Sequence, residues 1–114
     1  MAKFVVDRRT WHRGQGSPGS RLLTEGGKRC CIGFVGQQCG VSDEAMLCIG
    51  AVATLEPEDI QLFPAWMKPG AGISNGLLQE AYTINDNEAI NDEHREAMLK
   101  YLFVRNGDEI VFEN

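Results

Sequence analysis

The chain has 114 residues, of which 43% are apolar and 24% charged, and a formal net charge of −5. That length suits one domain able to bury roughly two-thirds of its unfolded surface, and the composition excludes a disordered or fibrous chain. No apolar run approaches the ~18 residues that cross a bilayer, so no membrane contact is expected.

The opening MAKFVVDRR places Lys3 and Asp7 around a short apolar run, which is unlike a secretion signal. A cytoplasmic location is expected. Charge is unevenly spread. Residues 1–29 hold seven basic and two acidic side chains, and residues 30–114 hold four basic and fourteen acidic ones. Such asymmetry either marks a basic face for an anionic partner or neutralises itself on folding.

Lys3–Asp7 is β-branched and aromatic and reads as a strand. Arg8–Gly19 is rich in glycine and polar residues and reads as a loop, with Trp11 as its anchor. Residues 20–24 (SRLLT) read as a second strand, closed by the turn at Gly26-Gly27. Arg29 or Cys30 opens a helix to about Cys39, with Cys31, Ile32, Val35 and Cys39 on its apolar stripe and Gly40 as its stop. Gly33 and Gly36 inside it each cost about 1 kcal/mol against alanine, which predicts a close approach by another group.

Ser42 caps a short helix over 43–49. Pro57 starts another over 57–62. Residues 63–67 (FPAWM) plug the core edge, and 68–75 read as a loop. Leu77–Ile84 fits either strand or helix, with strand favoured because Tyr82, Thr83 and Ile84 cluster at its end, and Asn85-Asp86-Asn87 reads as a turn. Asn91 or Asp92 caps a helix to about Val104, with Ala97, Met98, Tyr101, Leu102 and Val104 as its buried stripe. Asn106-Gly107 ends it, and Glu109–Glu113 reads as a strand.

These elements predict a single α+β domain. A small antiparallel sheet from residues near 3–7, 20–24, 78–84 and 109–113 packs on two main helices. The expected core contains Phe4, Val5, Leu22, Ile32, Phe34, Val35, Met98, Leu102, Ile110 and Phe112.

Three chemistries compete for the glycine-rich segment 11–40, which holds eight of the thirteen glycines. In the first, Cys30 or Cys31 sits at a helix N-terminus near Lys28 and Arg29, where a thiol pKa falls and a nucleophile forms. His12 or His94 would be its base, and Asn85, Asp86 or Asp92 would orient that base. In the second, Trp11 and His12 among Arg8, Arg9 and Arg13 stack on nucleic-acid bases. A pI near 4.9 opposes this. In the third, Arg8, Arg9, Trp11, Arg13 and Arg21 form a protein- or anion-binding surface, with exposed Trp66-Met67 as a second anchor.

Cys39, Cys48, His12 and His94 are too irregularly spaced for a metal site, and no CxxC is present. Adjacent Cys30 and Cys31 are poorly placed to bridge each other, so reduced, buried thiols are expected. No metal, no cofactor and no catalytic set is expected.

The run Trp11-x-Arg-Gly-x-Gly, then Ser20-x-Leu-Leu, then Gly27-x-x-Cys-Cys-x-Gly-Phe34 resembles a family of small phage, prophage and mobile-element proteins without an assigned activity. An Asn-Asp turn, a helix carrying Arg-Glu and a final strand after glycine extend the likeness over most of the chain. The resemblance implies host-interaction or defence-inhibiting roles and supplies no site residues. The expected function is a non-enzymatic cytoplasmic protein of a phage or other mobile element that docks on a host or phage protein. A thiol-dependent hydrolase and a nucleic-acid binder are the alternatives.

Overall fold

A computed structural model describes residues 2–16, 19, 21–69 and 76–114. Strand β1 (Lys3–Asp7) is followed by α1 (Cys31–Gln38), α2 (Asp43–Met46), α3 (Pro57–Ile60), α4 (Gly76–Asp86), α5 (Asp92–Arg105) and strand β2 (Glu109–Glu113). Two 3-10 turns, Val52–Thr54 and Ala65–Met67, interrupt the middle.

The sheet corrects the sequence-based expectation. It has two strands among the described residues, and they run parallel, with Lys3 opposite Glu109 and Asp7 opposite Glu113. Parallel strands need a long crossover, and here all the helices among the described residues lie within it. Alternate residues of β1 bond to β2: Glu109 N–H donates to Ala2 O at 2.8 Å, and Arg8 N–H donates to Glu113 O at 2.7 Å. Lys3 and Val5 therefore turn their N–H and C=O groups to the opposite edge.

The other two expected strands are absent. Residues 21–24 form a buried loop with a single bridge, Leu23 to Leu47, and position 20 lies outside the described residues. Positions 78–84 belong to α4. Leu78, Ala81, Ile84 and Asn85 share one buried helical face, and the Thr83 hydroxyl bonds back to Gln79 O at 2.9 Å. That spacing outweighs the β propensity of Tyr82-Thr83-Ile84.

Helix α1 follows its pattern. Its glycines are there for contact: a Cβ on Gly33 would collide with the Leu22 carbonyl, and one on Gly36 would press on Met46 and Phe63. Helix α2 is capped by the Ser42 hydroxyl, which accepts from Ala45 N–H at 3.2 Å. It stops at Met46, short of residue 49, and Cys48 takes φ 61° just beyond. Helix α3 ends at Ile60, and residues 70–75 of the expected 68–75 loop are not described.

Helix α5 is capped by Asn91 Oδ1, which accepts from His94 N–H at 2.8 Å. Its buried face is rotated from the expected one. Arg95, Glu96, Leu99, Leu102 and Phe103 face inward, while Ala97, Met98, Tyr101 and Val104 face outward. Met98 thus leaves the expected core and Val5 is half-buried; the other eight expected members are buried. Phe103 is the packing centre, with Phe4 and Trp66 edge-on at 6.2 and 5.0 Å.

Candidate functional site

Among the five residues expected to form one surface, Arg13 contacts both Trp11 and Arg8. Trp11 is a core residue, 3% exposed, with its ring 4.8 Å from Phe112. Arg13 stacks on the indole at 4.6 Å, donates to Asp92 at 2.7 Å and reaches the carbonyls of Arg8 and Trp11. Arg8 grips the largely buried Glu96 with two bonds of 2.7 and 2.8 Å. Arg9 pairs with Asp7. Arg21 lines a different hollow of about 490 Å³, beside His12, Glu25 and Cys48.

The basic N-terminal segment therefore closes on the acidic remainder of the chain. Hydrogen bonds from Arg13 hold the Asp92 carboxyl below its ordinary pKa, and those from Arg9 do the same for Asp7. Arg29, predicted to flank a reactive thiol, is buried and donates to Asp43 at 2.7 Å.

The adjacent thiols are sealed. Cys30 occupies the N-cap of α1 and Cys31 its first turn, and both are wholly buried. Burial pushes the Cys30 pKa up to about 12 and that of Cys31 well above the ordinary thiol value. The loss of solvation outweighs any help from the helix end. His94 is on the surface. Cys39 is half-buried and Cys48 exposed, which corrects the expectation that all four are hidden; none forms a disulfide. Among the described residues, no three His, Cys, Asp or Glu side chains are placed to hold a metal.

Asn85 organises this region, and as a turn residue its role was not visible. It is fully buried at the end of α4. Its Oδ1 accepts from Trp11 Nε1 at 2.8 Å and from Cys31 N–H at 3.0 Å. Its Nδ2 donates to His12 O and Asp86 Oδ1, both at 3.0 Å. All four bonding positions of the amide are filled. Read as a helix, residues 76–86 put Asn85 on the face of Leu78 and Ala81, which is the signal that would have revealed it.

A second concave surface lies elsewhere. A groove of about 690 Å³ runs between the free edge of β1, the end of α1, residues 62–66 and Asn106–Asp108. Phe4, Leu62, Phe63 and Trp66 give it apolar walls, and Lys3 and Asp108 also line it. Asp108 is buried and fixes the frame, accepting from Trp66 Nε1 at 2.8 Å and from Ala2 N–H at 3.1 Å. Trp66 is thus half-buried and Met67 fully so, which fits the expected plug at the core edge and not an exposed second anchor.

Gln38 acts on the edge as a neighbouring strand would. Its Oε1 accepts from Val5 N–H at 2.9 Å, and its Nε2 donates to Val5 O at 2.6 Å. The next outward-facing backbone pair of β1 is that of Lys3, on the groove wall. No family model, curated protein or solved structure matches the chain.

Proposed function

We propose that the chain is a non-enzymatic binding protein of a phage or other mobile element, working in the cytoplasm, that docks on a host or phage protein. Its contact is the groove beside β1, and its ligand is an extended apolar segment of that protein. The observation that carries this reading is the pairing of Gln38 with Val5. One carboxamide already takes the place of a strand residue, and the edge beyond it opens onto apolar walls. Added strands gain affinity from backbone bonds and specificity from alternate side-chain pockets.

Both alternatives have weaker support. A thiol hydrolase needs an accessible thiolate, and Cys30 and Cys31 lie sealed at the start of α1. A nucleic-acid binder needs unspent cations, and Arg8, Arg9 and Arg13 are matched to carboxylates. No helix is long and apolar enough to cross a membrane among the described residues.

The test is selection of extended peptides on the full chain, followed by amide mapping in solution. Shifts at Lys3, Val5, Leu62 and the Trp66 indole are expected, with binding lost in Leu62→Asp. Shifts confined to other surfaces would overturn the reading.

A further inference from the structure

Helix α5 carries two apolar stripes, and the fold uses one. Leu99, Leu102 and Phe103 pack inward. On the outer side lie His94, Ala97, Tyr101 and Val104, at steps of three, four and three, with Met98 beside them. Tyr101 is 66% exposed and Val104 56%. A solvated helix usually fills such a face with charge; this spacing is that of a helix-pairing seam. Glu80 and Ile84 of α4 border the same face along a hollow of about 320 Å³.

We propose that a second copy of this chain covers the face, with the two α5 helices antiparallel across a two-fold axis. Size favours it. A register centred on Leu99 sets the Tyr101 ring over Ala97 of the second copy and Val104 over its His94, so each bulky side chain meets a smaller or flatter one. Charge favours it as well. The helix begins with Asp92 and Glu93, and its last turn carries Arg105.

Antiparallel pairing sets each acidic end beside a basic end and opposes the two macrodipoles. Parallel pairing would set like ends together. Arg105 is held at the rim, 5.3 Å over the Tyr101 ring and 3.4 Å from Glu80. A two-fold contact uses the same patch twice and closes on itself, which stops growth at two copies.

Sedimentation equilibrium of the full chain over a concentration series tests the pairing, with circular dichroism confirming that each variant is folded. A reversible dimer is expected. Tyr101→Asp and Ala97→Glu should each raise its dissociation constant about tenfold or more. Arg105→Glu should weaken it, and adding Glu93→Arg to that variant should restore it. A monomeric wild type at every concentration, an assembly larger than two, or a dimer indifferent to Tyr101→Asp would each overturn the proposal. Tyr101 decides the matter even where Ala97→Glu perturbs folding, because its side chain lies mostly in solvent.

Discussion

The indole of Trp11 donates to the carboxamide of Asn85 across 74 residues of sequence, at 2.8 Å and out of contact with water. The same oxygen takes the N–H of Cys31, one of the amides that the start of a helix leaves without an intrahelical acceptor. One side chain thus ties the N-terminal loop, α1 and α4 together.

Asn85→Leu would leave the Trp11 and Cys31 donors buried without acceptors. Each such donor costs about 1–3 kcal/mol. A loss of about 2–5 kcal/mol is expected in a denaturant titration followed by tryptophan fluorescence. Trp11→Phe removes one donor and keeps most of the ring, and a smaller loss is expected.

Gly33→Ala should destabilise the chain by about 1–3 kcal/mol, the usual cost of overpacking, because the Leu22 backbone occupies the site of the new methyl group. Alanine's better helix propensity recovers only about 1 kcal/mol of that. Gly26→Ala is the control. It meets only Thr24 Oγ1 at 3.8 Å, and its melting temperature should change little.

Thiol reactivity should separate the four cysteines. Cys48 is expected to react with a disulfide reagent at once, and Cys39 more slowly. Cys30 and Cys31 should react only on unfolding. Two rapidly titrated thiols in addition to Cys48 and Cys39 would contradict the sealed site.

The buried pair also sets an alkaline limit. Burial raises both folded pKa values above the ordinary thiol value of 9.0. Above that value the unfolded chain gives up protons that the folded chain keeps, so stability falls as pH rises. The full contribution is present below pH 9 and should decline by about 1.4 kcal/mol per pH unit for each thiol as pH climbs towards 12. Cys30→Ala with Cys31→Ala should flatten the decline.

On the acid side, Arg13 holds Asp92 ionised below its usual range. The stability from this pair is present above the unfolded carboxylate pKa and is lost as pH falls through the lowered folded value. Asp92 is about half exposed, so Asp92→Asn should cost only about 0.5–1 kcal/mol near neutrality. The difference from wild type should shrink in acid and in high salt.

Local signals were legible and distant ones were not. Both strands, α1 with its two tight glycines, and the caps Ser42 and Asn91 rest on neighbours in sequence. Strand direction depends on the path between the strands, and nothing within Lys3–Asp7 or Glu109–Glu113 records it. In α5 two apolar stripes compete. The winning face is fixed by partners far away, with Glu96 bonded to Arg8 and Arg95 to the carbonyls of Asn85, Asn87 and Ile90. For the candidate site, the clustered arginines were visible, but the carboxylates that neutralise them lie far along the chain. The β1 groove was hidden for the same reason, since its walls come from four separate stretches.

The sheet joins segments that emerge from the ribosome far apart in time. Ala2 and Asp108, bonded at the head of the strand pair, stand 106 positions apart. During translation β1 has no mate until β2 is made, whereas Gln38, its other bonding partner, follows only 33 positions after Val5. Such far-flung pairing slows folding and defers formation of the sheet until β2 has left the exit tunnel.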